Sequence, residues 1–453
     1  MNRSVWRPVW RPVAPLLLLA LMTAAALAAD APAPVAASTP TNSPAPVRFG
    51  IDVLQDTRFA ALRGKRVALV ANPASVDGNL RATSDVLAGA REVRLVALFG
   101  PEHGIYGNAY AGDDVADQVD PRTGRTLYSL YGKTARPTTR MVRGLDAIVF
   151  DLQDIGCRSY TYIATMKNVL AACAEHDREF IVLDRPNPLG GQRVEGPGLV
   201  KGFESGVSSL PVPYVHGMTM GELARLVRDT QFPQFKKLTI VKMTGWTREM
   251  TWARTGREWV PTSPHVPTAD AVAAYVATGV LGELYVINIG VGYTLPFEMV
   301  GAPWLDGEAL AAALPPRAGV VFRPVHFKPF YSTFAGQACQ GVQLHIDAER
   351  APSLVEINYE LLHALGAARL FPLSDEKARR LAEEAAEEKA KKTGRPATRP
   401  VKWDARTRMF DKVSGSDEPR AWLMEGKPLA ELFARWKREC DAFREARKPY
   451  LLY

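Results

Sequence analysis

The feature that most constrains this chain is a pattern met four times in its first half: a short, β-branched apolar run that breaks off into a cluster of polar residues. Arg66 to Ala71 runs into Asn72-Pro73, and Val93 to Phe99 into Gly100-Pro101-Glu102-His103-Gly104. Ala147 to Phe150 runs into Asp151-Leu152-Gln153-Asp154, and Phe180 to Leu183 into Asp184-Arg185-Pro186-Asn187. Runs this short and this nearly continuous fit parallel strands buried on both faces. Helices are predicted over 83–90, 138–143, 161–176 and 219–229. Alternating strands and helices joined by right-handed crossovers predict a Rossmann-like domain over residues 49–260. Ligands of such sheets gather at the carboxyl ends of the strands, so the polar clusters should converge on one rim.

The pattern changes at residue 261. Pro261, Pro264 and Pro267 introduce a helix near 269–278, an apolar run over 284–289, and Gly290-Val291-Gly292-Tyr293-Thr294-Leu295-Pro296-Phe297-Glu298. Strands are expected over 320–323 and 341–346, and helices over 353–365, 375–391 and 429–447, which makes 261–453 a smaller α+β domain.

The N-terminus is a separate object. Arg3, Arg7 and Arg11 precede an apolar stretch from Val13 to Ala29 with Ala26-Leu27-Ala28 as a small-residue cleavage site, so residues 1–29 read as a secretory signal. Residues 30–48, rich in Ala and Pro, read as a disordered linker. The expectation is export, to the periplasm, with no stable membrane span after cleavage. A permanent anchor is the rival, and the apolar run falls just short of the ~20 residues a span needs.

Several function classes drop out. The net charge of +8 suits an anionic partner, but much of the Lys and Arg alternates with Glu383, Glu384, Glu387 and Glu388, as on a solvated helix face. No basic cluster is interleaved with aromatics, so nucleic acid is not expected. Asn72-Pro73-Ala74-Ser75 stands where a dinucleotide site would have Gly-x-Gly-x-x-Gly, so no cofactor is expected. The cysteines, Cys157, Cys173, Cys339 and Cys440, are too scattered for a disulfide framework or a close-spaced zinc site, which leaves either a bridge or buried thiols. No Gly-x-Ser-x-Gly elbow is present, and Cys157 and Ser159 have no base partner visible in sequence.

What remains is carboxylate chemistry. Glu102 and His103 lie between glycines at a strand end, where the chain turns tightly and a ligand approaches closely; they either act on a substrate or brace the turn. A shielded carboxyl here can protonate a leaving group. Asp151, Gln153 and Asp154 follow the third run, and two carboxylates facing Glu102 across a groove are the minimum for glycoside hydrolysis. Arg158 suits a substrate carboxylate, and Tyr160 and Tyr162 suit a sugar ring or simply the start of a helix. Asp184, Arg185 and Asn187 are held by prolines, and Asp184 and Arg185 either brace each other or bind ligand. His216 precedes Thr219 and Glu222, a capping box. Four groups at the rim, Glu102, His103, Asp151 and Asp154, also have the side chains a metal would need, although the reading adopted is metal-independent.

These motifs, together with Glu195-Gly196-Pro197, His216 to Ala224, Pro296-Phe297-Glu298, Gly301-Ala302-Pro303 and Tyr450 to Tyr453, resemble the NamZ exo-β-N-acetylmuramidases along nearly everything from Gly50 to Tyr453. The resemblance implies a Rossmann-like domain and a smaller C-terminal domain with the active site in the cleft between them. It implies removal of terminal N-acetylmuramic acid from the non-reducing end of peptidoglycan fragments, and it places Glu102 at the family's proposed catalytic glutamate. In this reading Glu102 is the general acid and Asp154 or Asp151 positions water or the acetamido group. Asn72, His103, Gln153, Arg158, Tyr160, Tyr162, Asp184, Arg185, Asn187 and His216 contact the substrate, one arginine pairing with the lactyl carboxylate. Where many relatives carry Ser-Glu-Gly-Arg-Gly-Thr, this chain has Asn288 to Tyr293, with Ile289 and Val291 in place of an acid and a base; His265 also stands where relatives often have Asn. Those changes keep two alternatives open: a noncatalytic carbohydrate-binding protein, or an exo-hexosaminidase with altered sugar specificity.

Overall fold

Alternation within the apolar runs decides the architecture. The computed structural model describes residues 45–109, 117–132, 134–393 and 405–453. The predicted signal and the linker up to residue 44 lie outside them. The strands are β1 Arg66–Ala71, β2 Arg94–Gly100, β3 Gln118–Val119, β4 Thr126–Ser129, β5 Ala147–Asp151, β6 Glu179–Leu183 and β7 Leu238–Val241. They form one seven-stranded sheet in the order β3-β4-β2-β1-β5-β6-β7. Every pairing is parallel except β3 with β4.

Successive side chains point to opposite faces, and each set meets its own core. Ala68, Val70, Ile148, Phe150, Phe180 and Val182 pack under the helices Tyr162–Glu175 and Met220–Gln231. Val67, Leu69, Ala147, Val149, Ile181 and Leu183 pack against Ile51, Leu54 and Leu87 on the other side. Both faces are covered, which is why the runs read as continuous apolar stretches. Without the antiparallel edge β3, the six parallel strands lie in the order 3-2-1-4-5-6, and the order reverses between β1 and β5, the point where such sheets open a crevice.

The second sheet contains β8 Met299–Ala302, β9 Val320–Phe327 and β10 Cys339–Ile346, antiparallel in the order β8-β10-β9. β9 and β10 extend the two expected strands. β8 was not foreseen: Met299-Val300-Gly301-Ala302 is too short to show an alternation. The helix Asp270–Gly282 is apolar almost all round and buried along its length. The Asn358 side chain accepts from Val280 N and Leu281 N at 3.1 and 3.2 Å and donates to Val276 O at 2.6 Å. One hydrophobic cluster runs from Phe150 through Val276 to Trp436, so the large and small sheet regions share a core, and 45–453 is a single compact unit.

Chain order inside the described residues starts early: Val47 is already buried and donates its N–H to Thr255 O. All four cysteines are buried and free. The charge run on Ala367–Thr393 forms exposed pairs such as Arg379–Glu383 and Lys392–Glu388. Among the described residues no helix is long and apolar enough to cross a membrane.

Candidate active site

The rim groups divide into those whose polar atoms are spent on the fold and those that retain a free one. Asp151, at the end of β5, is wholly buried. Arg185 Nε and Nη2 donate to its two oxygens at 2.5 and 2.9 Å, and Thr83 Oγ1 donates at 2.6 Å. Arg185 is also held by Val76 O at 2.8 Å, with its guanidinium 5.0 Å from the Phe49 ring centre. The brace predicted between Asp184 and Arg185 side chains is therefore a brace between Asp151 and Arg185, joining β5 to the loop after β6.

Asp184 faces elsewhere. It accepts from Gly221 N at 2.8 Å and Thr219 Oγ1 at 2.7 Å, at the start of the helix Met220–Gln231. Its remaining partners are Arg185 N and the Tyr453 hydroxyl, the latter at 2.8 Å. With no cation among these partners, burial pushes its carboxyl up to about 6. Thr219 and Glu222 form the expected capping box, each accepting from the other's backbone N–H. Asn187 Nδ2 donates to Met218 O at 3.0 Å, and its oxygen accepts from Leu189 N.

Arg158 does not face a ligand. It is 1% exposed, and its donors go to Ser208 Oγ, Pro197 O, Val212 O and Val413 O at 2.8 to 3.1 Å. Burial without an acid lowers its guanidinium to about 10. The lactyl-carboxylate role expected for Arg158 or Arg185 therefore fits neither: both guanidinia are sealed in the interior and already engaged. Ile289 likewise belongs to the core, where a Cβ on Gly282 would meet its Cδ1 at 2.3 Å. In this chain the position therefore offers a ligand no side-chain contact.

Asn72, Tyr162 and Gln153 meet at Thr262, a residue the sequence did not single out. Asn72 Nδ2 and Tyr162 Oη both donate to Thr262 O, at 2.8 and 2.6 Å, and Thr262 Oγ1 donates to Gln153 O at 2.6 Å. The only hint was its place between Pro261 and Pro264. Tyr160 stands edge-on to Tyr162, ring centres 4.8 Å apart, and 6.1 Å from Tyr275.

Above this brace lie the less committed groups. Glu102 is half-buried, accepts from Thr161 Oγ1 at 2.6 Å, and has no cation partner among the described residues. Thr161 sits just ahead of the helix Tyr162–Glu175, so β2's loop and β5's following helix hold the carboxylate together. His103 takes φ +68°, a left-handed conformation costly for a non-glycine residue. Its Nδ1 lies 3.0 Å from Ala109 O; a carbonyl only accepts, so Nδ1 carries the proton.

Asp154 and His216 form a second such pair. Met218 N donates to His216 Nδ1 at 3.1 Å, so the neutral ring carries its proton on Nε2. That Nε2 is 3.6 Å from Asp154 Oδ2, which also accepts from Gly156 N at 2.8 Å. Gln153 Nε2 donates to Asp154 O and Pro186 O. Among the described residues Asp154 Oδ1, His216 Nε2 and Gln153 Oε1 are buried without a hydrogen-bond partner. Three unpartnered polar atoms in one loop cluster are uncommon in a folded core, where buried polar groups are usually satisfied.

A cavity of about 550 Å³ opens beside Asn72 and Pro73, bordered by Ile105 and Tyr106, but Glu102 does not line it. Its charges are already engaged: Arg122 with Asp85, Arg81 with Asp77 outside the lining, and Asp120 with the hydroxyls of Tyr106 and Thr123. The orphaned atoms are the better guide to chemistry. Cys157 and Ser159 offer no nucleophile: burial pushes the thiol up to about 11, and Ser159 Oγ donates to the Tyr214 hydroxyl. Among the described residues no group of three His, Cys, Asp or Glu is placed to hold a metal ion.

A 3-2-1-4-5-6 sheet with acid–base groups at its switch point and a smaller antiparallel sheet beside it defines a Rossmann-like α/β protein equipped for carboxylate chemistry. The chain belongs to the NamZ exo-β-N-acetylmuramidase family: the family's N-terminal model matches residues 67–270 and its C-terminal model residues 273–453. It is 36% identical over 409 residues to the peptidoglycan β-N-acetylmuramidase NamZ of Bacillus subtilis strain 168, covering 90% of this chain and 91% of that protein. Two crystal structures of DUF1343 family proteins from Bacteroides fragilis NCTC 9343 are similar, with TM-scores of 0.76 and 0.66 at 41% and 28% identity. Each comparison covers 90% of this chain and 99% of the other.

Proposed function

We propose that the protein is an exo-acting glycosidase that releases terminal N-acetylmuramic acid from the non-reducing end of peptidoglycan fragments. The observation that carries this reading is the family match over 67–270 and 273–453, with Glu102 half-buried at the rim. Glu102 protonates the leaving glycosidic oxygen. Asp154, steadied at Oδ2 by Gly156 N and facing the His216 Nε2 proton, offers Oδ1 to a water or to the substrate's acetamido N–H. Asp151, Asp184, Arg158, Arg185, Asn187 and Asn72 brace the surrounding strands and loops through the contacts above. The deciding experiment incubates the protein with a synthetic β-muramic acid glycoside and its glucosamine counterpart. Release of muramic acid alone supports the reading. Hydrolysis of the neutral sugar alone means a hexosaminidase of altered specificity, and binding of both without hydrolysis means a carbohydrate-binding protein.

Export to the periplasm is part of the same proposal. It is supported by the Arg-flanked apolar stretch and Ala26-Leu27-Ala28. Mass spectrometry of protein from the native host finding an intact N-terminus in the cytosol would overturn it.

A further inference from the structure

The segment that departs from many relatives ends in an aromatic cluster built onto the small sheet. Gly290 and Gly292 take φ +81° and +90°, turning the chain sharply before Tyr293. Phe330 N donates to Gly292 O at 2.7 Å, and a Cβ on Gly292 would lie 2.0 Å from Tyr331 O, so the two loops touch backbone to backbone. Asn288 fastens them further, donating to Val291 O at 3.0 Å and Thr333 O at 2.8 Å. On this frame the Tyr293 and Phe330 rings stack, with centres 6.1 Å apart and planes at 19°. Phe330 is 78% exposed and Tyr331 48%.

An isolated exposed ring needs no explanation, but adjoining rings held out by a cross-braced loop do. The loop's own backbone is costly: Ser332 and Phe334 also have positive φ. The cluster leads back to the rim. The Tyr331 hydroxyl lies 2.8 Å from His265 Nε2, with the rings 6.0 Å apart, and His265 lies three residues after Thr262, where Asn72, Tyr162 and Gln153 meet at the rim. Tyr162 directly follows Thr161, whose hydroxyl donates to Glu102 at 2.6 Å.

We propose that Tyr293, Phe330 and Tyr331 form a stacking subsite for the N-acetylhexosamine ring on the leaving-group side of the scissile bond. The inference rests on the glycosidase reading above. A pyranose presents an apolar C–H face that matches an aromatic ring, and its hydroxyls need polar groups at the edge, which Tyr331 and His265 supply. An exo-acting enzyme encloses the terminal sugar, so an open platform outside that pocket suits the glycan that continues beyond it. Val291, half-buried in this loop, adds no charge to the mouth.

The test compares a disaccharide substrate, with N-acetylhexosamine as leaving group, against the terminal sugar's glycosyl fluoride, whose leaving group is one atom. In Phe330→Ala the ratio of kcat/KM for disaccharide over fluoride should fall about tenfold, the scale of one lost aromatic contact, and Phe330→Trp should restore it. An unchanged ratio overturns the proposal. Saturation-transfer NMR with a β-linked N-acetylglucosamine disaccharide gives a reading independent of turnover. Transfer to ring C–H protons in the wild type and its loss in Phe330→Ala support the subsite, and equal transfer in both overturns it. With a muropeptide, transfer confined to peptide protons also overturns it. If the wild type hydrolyses neither substrate, the glycosidase reading fails, while the NMR arm still decides the subsite.

Discussion

Glu102 and Asp151 are carboxylates at the carboxyl edge of one sheet, on β2's loop and at the end of β5, with β1 between. Asp151 is buried and receives Arg185 on both oxygens; Glu102 is half-buried, rides a loop with a left-handed residue, and receives one hydroxyl. The same functional group thus serves the fold at one position and is left with a single hydroxyl partner at the other. The neighbourhood, not the side chain, assigns the role.

The largest effect should come from breaking the braced side. Arg185→Met leaves Asp151 as a buried, uncompensated charge, and the expected loss is ~3–5 kcal/mol of stability in urea or thermal unfolding. A loss under ~1 kcal/mol would show that Asp151 and Arg185 are not a brace. Glu102→Gln tests the other side: turnover should fall ~100-fold or more while the melting temperature stays at the wild-type value. Near wild-type turnover in the folded variant would remove Glu102 from the mechanism. Arg158→Met should resemble the brace, costing ~1.5–3 kcal/mol as its buried hydrogen bonds to carbonyls are lost. Its preference for muramic over glucosamine substrates should not change; a selective loss of the muramic substrate would restore the arginine to recognition.

The smallest effect separates two carboxylates of the fold itself. Asp184 sits at about 6 when folded, above its unfolded value of ~3.9, so the native state holds its proton more tightly. Its contribution is complete below pH ~4 and is lost as pH rises through 6. Asp146, lowered to about 2 by Arg66, works the other way, contributing above pH ~4 and failing as pH drops through 2. In a series of urea midpoints against pH, Asp184→Asn should flatten the decline between ~4 and 6. An unaltered slope would mean that Asp184 is ionised throughout.

Much of the large sheet was legible because its strands are buried on both faces and its helices carry local start signals such as Thr219 and Glu222. The motifs also located the rim. Side-chain partners were less legible, since they come from far along the chain. Arg158 finds acceptors at Pro197, Val212 and Val413, and Arg185 passes over its neighbour Asp184 for Asp151 because Asp184 is taken by amide and hydroxyl donors. Strand β8 carried too little pattern to be seen, and Thr262 looked like one polar residue among prolines. Ile289 was read as a possible change of specificity because its burial against Gly282 depends on how the helix Asp270–Gly282 packs.

The Tyr453 phenol gives Asp184 one of its donors across 269 residues of sequence, and it also accepts from Met243 N. So distant a contact closes a very long loop, an entropic cost that the local contacts of the sheet do not carry. Tyr453 therefore ties the Asp184 end of β6 to the segment that follows the helix Leu429–Ala446. Removing the phenol oxygen alone, as in Tyr453→Phe, should leave Asp184 one donor short and lower stability in urea unfolding by ~1 kcal/mol.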